Sequence, residues 1–231
     1  MIKPASIPLA LYVHLPWCVQ RCPYCDFNSH EGFSPTLQQP YVDALLSDLD
    51  SQLEWLNGRP IGSIFIGGGT PSLFDGEWIA QLLGGIGDRL TIARQAEITL
   101  ESNPNSADAE HFKRYRRAGV NRLSIGVQTF NDHALQSLGR LHSGDEARHA
   151  LDHIPAAGFD RWNIDLMHGL PGQNAKMAEA DVAEAIERGT GHISWYQLTI
   201  ERNTRFWSAP PKLPGEDELE SIQSRGEGML Q

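Results

Sequence analysis

The sequence predicts an α/β protein built on a parallel sheet, and two observations carry that reading. Six short runs rich in β-branched, aromatic and aliphatic residues, at 11–15, 63–67, 97–101, 122–127, 162–167 and 192–198, are separated by gaps long enough for a helix each. Strands alternating with helical stretches make βα units, whose crossovers leave neighbouring strands parallel. The second observation is placement. Almost every chemically unusual residue falls at the C-terminal end of a run, where barrel enzymes assemble their sites. Periodicity by itself admits a doubly wound sheet as well as a (β/α) barrel, and the placement favours the barrel.

Each element has its own local reason. The first run leads into a loop holding all 3 cysteines of the chain, spaced Cys18-x3-Cys22-x2-Cys25. Over 41–56 the apolar residues Val42, Leu45, Leu49, Leu53 and Leu56 form one stripe of a helix. The second run ends in Gly67, Gly68, Gly69, Thr70 and Pro71, and the third ends at Glu101, just before the chain-turning Pro104. A helix over 106–118 is expected from Ser106 as N-cap, with Asp108 and Glu110 in its first turns and Arg116, Arg117 and Gly119 at its end. Gln128 follows the fourth run. Ser143 and Glu146 are spaced as a capping box opening a helix toward Gly158, which Pro155 should kink or end early. Asp165 lies late in the fifth run, a helix over 173–187 follows the Pro171-Gly172 turn, and Glu201 follows the sixth run. Beyond it, 207–214 reads as a proline-rich extended connection and 215–231 as the opening of a helix. The expected division is a core domain over 1–205 and, from 206 to 231, the start of a C-terminal region belonging to a longer protein.

Composition narrows the function. At 231 residues and 40% hydrophobic, the chain fits one domain with a small appendage. Its net charge of −10, from 19 Lys+Arg against 29 Asp+Glu, is opposite to the basic footprint of a nucleic-acid binder. Arg114, Arg116 and Arg117 cluster, but at a helix C-terminus they complement the dipole. No apolar stretch approaches the roughly 20 residues that span a bilayer, and no leader pattern opens the chain. Unpaired thiols fit a reducing compartment, so a cytoplasmic protein is expected.

The cysteine loop admits three readings. A disulfide framework suits neither the odd count nor a chain of this size. Structural zinc closes with four ligands and would need a histidine such as His14 or His30. An iron–sulfur cluster on three thiolates leaves one iron without a protein ligand. His14 and His168, beside the motifs, are read as polar neighbours and assigned no metal.

The Cys18, Cys22 and Cys25 spacing resembles the signature of the radical S-adenosylmethionine (SAM) superfamily. The resemblance implies a six-stranded partial (β/α)6 TIM-like barrel. It also implies a 4Fe–4S cluster on the three cysteines, whose open iron is chelated by the methionine part of SAM. By the same resemblance Gly68, Gly69 and Thr70 receive the SAM amino group and Glu101 contacts SAM. Gln128, Arg140 and Asp165 fall in the SAM or substrate pocket, with Tyr12 and Tyr24 near the cluster. Read without it, the glycines make a tight turn, Glu101 is a capping or surface acid, and Arg140 and Asp165 form a structural ion pair.

Further stretches narrow the likeness. Those around Tyr12–Cys18, Phe65–Ser72, Ser124–Phe130, Asn163–Pro171 and Ser194–Glu201 are similar to the oxygen-independent coproporphyrinogen III oxidase family. The oxidases carry another cysteine two places after the third, where this chain has Phe27. That departure resembles the heme-chaperone branch, which implies heme as a ligand and heme-receiving client proteins as partners. The branch carries a heme-associated His-Asn-x-x-Tyr motif in a C-terminal domain, and no such motif occurs here. The oxidase, decarboxylating coproporphyrinogen III with a SAM-derived radical, is the enzyme alternative, and a tRNA-modifying radical SAM enzyme a distant third.

Overall fold

Six parallel strands pair in strict chain order in the computed structural model, which describes residues 7–56, 58–106 and 109–231. They are β1 (Leu9–Leu15), β2 (Ile61–Gly68), β3 (Ile92–Ser102), β4 (Arg122–Gln128), β5 (Trp162–His168) and β6 (Ile193–Gln197). The order decides what periodicity left open. A doubly wound sheet reverses its strand order at a switch point. An unbroken 1-to-6 order with right-handed crossovers instead keeps every helix on one face and curls the sheet into a partial barrel.

The long helices are α1 (Gln38–Leu56), α2 (Gly76–Arg89), α3 (Ala109–Ala118), α5 (Gly144–Ala156) and α6 (Ala175–Glu187); α4 (Asp132–Ser137) is one short turn more. Strand alternation sorts the side chains. Val13, Leu15, Ile64, Ile66, Leu100, Leu123, Ile125, Ile164 and Leu166 are buried in one core with Val42, Ile79, Leu82, Phe112, Leu151 and Ile154 of the helices. Tyr12, Phe65, Glu101, Ser124, Asp165, Ser194 and Tyr196 alternate with them and face the concave side.

Helix ends follow local chemistry. The capping box at Ser143 and Glu146 is formed, and α5 closes at Ala156, one residue past Pro155. Residues 104–106 make a short 3-10 turn ahead of α3. The expected capping contribution of Ser106 and Asp108 lies outside what the structure describes.

The chain after β6 packs back onto the barrel. Phe206, in α7 (Arg205–Ser208), joins Leu138, Met167, Leu170 and Leu198 in a second apolar cluster. Helix α8 (Glu216–Leu230) lies on α6, with Ile222 buried against Ala175 and Ala178. The Glu218 carboxylate accepts the Ala175 N–H at 2.7 Å. Among the described residues no helix is long and apolar enough to cross a membrane.

Candidate functional site

The cysteine loop leaves the end of β1 and is pinned at its base by two backbone bonds. The Cys18 N–H donates to the His30 carbonyl at 2.8 Å, and the His30 N–H to the Pro16 carbonyl at 2.7 Å. Within the loop, the Cys25 N–H bonds the Cys22 carbonyl at 3.1 Å, and Arg21 Nη2 donates to the Cys25 carbonyl at 3.3 Å. From outside, the Phe206 N–H donates to the Pro23 carbonyl at 2.9 Å. All three thiols are free; Cys18 is buried, and Cys22 and Cys25 are half-buried. Burial raises the Cys25 pKa, and the nearby charges of Cys22 and Cys18 raise it further. The thiols therefore lie within electrostatic reach of one another, an arrangement a bound cationic centre relieves.

The glycine run is explained first by packing. A Cβ on Gly69 would sit 2.6 Å from the Trp17 carbonyl oxygen, and one on Gly68 (φ +127°) would sit 2.7 Å from that of Leu15. The Gly69 N–H reaches the Leu15 carbonyl at 2.9 Å and the Thr70 N–H that of Trp17 at 2.7 Å. The backbone after β2 is thus clamped to the start of the cysteine loop, an approach only glycine permits. Sequence reasoning credited these glycines to ligand approach and missed this contact.

Beneath the clamp, Glu101 accepts the Gly68 N–H at 3.2 Å. Burial, then the charge of Asp165, pushes its pKa up to about 7, against the pull of the Gly68 N–H. Asp165 accepts from Ser124 Oγ at 2.9 Å and Asn163 Nδ2 at 2.6 Å, and burial raises its pKa despite these donors. Gln128 closes β4 in the left-handed region at φ 70°, where the register with β5 shifts. Its side-chain oxygen accepts from the Tyr196 hydroxyl at 2.8 Å. The turn after it is held by Asp181 of α6, which accepts from Thr129 Oγ1 at 2.7 Å and the Phe130 N–H at 2.9 Å.

Arg140 and Asp165 do not form the ion pair that is the plain reading of the two. Arg140 Nη2 donates to Asn103 Oδ1 at 2.6 Å and the Gly126 carbonyl at 2.7 Å, while Nη1 lies 3.8 Å from Cys22 Sγ. Tyr24 sits beside Arg140 and Cys22, and burial raises its pKa. Tyr12 is the outlier, 58% exposed on β1. Its hydroxyl bonds His14 Nδ1 at 2.9 Å, and His14 Nε2 bonds the Asn28 carbonyl at 2.8 Å. Since only a donor can serve that carbonyl, Nε2 carries the proton and Nδ1 accepts from Tyr12. His14 therefore ties β1 to the far limb of the cysteine loop, in keeping with its reading as a polar neighbour.

Two hollows flank Cys22. One, of about 240 Å³, is lined by Thr70, Asn103, Arg140 and His142. The other, of about 760 Å³, lies between Cys22, Cys25, His30 and residues Asn203, Thr204 and Arg205. Among the described residues no three His, Cys, Asp or Glu side chains converge as ligands of a single ion do. A four-iron cluster asks for something else, since each thiolate serves its own iron. Two buried polar atoms near the loop, Arg140 Nε and Ser29 Oγ, have no hydrogen-bond partner. Clustered thiols with unspent donors beside them fit a cationic iron–sulfide core whose sulfurs accept hydrogen bonds.

The radical SAM superfamily pattern matches residues 12–185. The chain belongs to the radical SAM superfamily. Membership implies a 4Fe–4S cluster and SAM as its cofactor pair. Among curated relatives, the heme chaperone HemW of Escherichia coli K12 is 50% identical over 223 residues, 96% of this chain and 59% of that protein. HemW of Haemophilus influenzae is 50% identical over 231 residues, 98% of this chain and 60% of that protein. The chain therefore spans about three fifths of the length of these relatives. Among solved radical SAM structures, the coproporphyrinogen III oxidase HemN of E. coli superposes with a TM-score of 0.87 at 26% identity, over 98% of this chain and 53% of that one. An archaeal Elp3 from Methanocaldococcus infernus, at 18% identity and a TM-score of 0.65, shares the fold.

Several residues of this site were not singled out in the sequence. Asn103 and Tyr196 lie inside motifs that were noticed, yet nothing in their spacing announces that they hold Arg140 and Gln128. Asp181 lies mid-helix, where an acid reads as solvent-facing, and only packing shows it buried.

Proposed function

We propose that this chain is the radical SAM part of a heme chaperone, acting in the cytoplasm and passing heme intact to client proteins. The observation that carries the reading is 50% identity to HemW over 96% of the chain, against 26% to HemN. Phe27 supports it, 61% exposed at the place where the oxidases resembled by this sequence carry a further cysteine. A reducing compartment suits three free thiols.

In this reading Cys18, Cys22 and Cys25 hold the cluster. Gly68, Gly69 and Thr70 present the clamped β2 turn to the amino end of SAM. Glu101, Gln128, Arg140 and Asp165 bind it from the concave face, with Tyr12 and Tyr24 at the borders. When bound and reduced, the cofactor pair supplies one-electron chemistry; the protein supplies position, charge and exclusion of water. Glu101 holds its carboxyl against the Gly68 N–H, Tyr196 orients Gln128, and Ser124 and Asn163 orient Asp165.

The test is one anaerobic experiment on reconstituted protein with two readouts. Heme is added and its absorption followed through transfer to an apo-acceptor, and coproporphyrinogen III is supplied with SAM and reductant for mass analysis. Heme release to the acceptor with unchanged porphyrinogen is the expected result. Loss of carboxyl groups with formation of deoxyadenosine would make the protein an oxidase instead.

A further inference from the structure

We propose that Arg140 tunes the reduction potential of the cluster through a charged N–H···S hydrogen bond to Cys22. This rests on the reading of Cys18, Cys22 and Cys25 as cluster ligands. The guanidinium stands 3.8 Å from Cys22 Sγ through Nη1. Its other arm is fixed by two neutral oxygens, Asn103 Oδ1 at 2.6 Å and the Gly126 carbonyl at 2.7 Å. Among the described residues no carboxylate pairs with it, so its charge is not cancelled and falls on the thiol beside it. The fork is also aimed: with Nη2 tied down on both sides, Nη1 has Cys22 as its remaining direction.

The three cysteines are thereby unequal. Cys25 has the neutral Phe27 N–H beside it, whereas Cys22 has a cation. Potentials of such clusters are set by hydrogen bonds to sulfur, local charge and exposure. Reduction adds negative charge to the cluster and its thiolates, and a buried cationic donor stabilises that state over the oxidised one. The sign follows: Arg140 makes the cluster easier to reduce. It acts through Cys22 and is a tuning residue, separate from any contact its free Nε makes to a ligand.

The experiment is a potentiometric titration with dithionite, followed by electron paramagnetic resonance, on anaerobically reconstituted protein without SAM. Iron and sulfide are counted per chain for wild type, Arg140→Met, Arg140→Lys and Asn103→Ala. Arg140→Met is expected to lower the reduction equilibrium about tenfold, a shift of about 59 mV to more negative potential for one electron. Arg140→Lys keeps the charge and should recover part of that shift. An intact cluster with an unchanged potential in Arg140→Met overturns the inference alone; a wild-type chain that takes up no four-iron cluster overturns the ligand reading beneath it. Where Arg140→Met fails to take up iron, Asn103→Ala decides. Freeing the fork should give a smaller negative shift, and no shift overturns the inference.

Discussion

Glu101 is an acid held where its charge is poorly tolerated, and stability should report it. Its pKa rises from 4.5 to about 7 through burial and then the Asp165 charge. The folded state thus binds more protons than the unfolded state between those values, and stability falls as pH rises across that window. The contribution is full below 4.5 and gone once pH has passed 7. Glu101→Gln keeps an acceptor for the Gly68 N–H and removes the titration. We expect the variant to gain on wild type by on the order of 2 kcal/mol between pH 5 and pH 8, measured by urea unfolding of the cluster-free protein. A constant difference between the two would refute this origin. Glu101 was legible in the sequence as a strand-end acid, but its raised pKa was not, because its burial is set by tertiary packing and the charged neighbour that adds to it stands two strands away on β5.

At the level of elements, the segment after β6 is tied to the cysteine loop and to the barrel wall. Phe206 is 8% exposed, packs under Tyr24 with ring centroids 6.3 Å apart, and bonds Pro23 through its backbone. Phe206→Ala should cost about 3 kcal/mol, and iron uptake should fall with it because the loop loses its outer support. Iron counting against thermal unfolding measures both. On α8, a Cβ at Gly226 would lie 2.1 Å from Trp195 Cη2. Gly226→Ala gains up to about 1 kcal/mol of helix propensity but loses about 1–3 kcal/mol to overpacking. The second term wins, so the midpoint of unfolding should drop; a rise would mean the indole moves aside freely. Asp181→Ala should cost roughly 1–3 kcal/mol by stranding Thr129 and the Phe130 N–H. Most elements were readable because helices and strands follow local periodicity. The docking of α7 and α8 was not, since a proline-rich stretch followed by an acidic helix start looks the same packed or free.

For the molecule as a whole, core and site are separable. The main core is built mainly from strand and helix residues and includes none of the three cysteines. Removing the cluster with a chelator should therefore leave the barrel folded. Hydrogen exchange should quicken mainly over residues 16–30 and in the 203–206 segment that closes on them; loss of protection across the sheet would show instead that the cluster organises the fold. By itself the sequence determined the six βα units, the thiol triad and the family's motifs, because these are written in local periodicity and in the spacing of a few side chains. It also placed Glu101 and Gln128 at strand ends, since alternation and turn residues mark where a strand stops; Asp165, read as late in its run, is the middle residue of β5. Only the tertiary structure decided the rest: the sequential strand order that selects a partial barrel, the clamp of the glycine run on the cysteine loop, and the partners of Arg140. These depend on contacts between residues far apart in the chain, and their strengths come from burial and geometry that no single stretch of sequence contains.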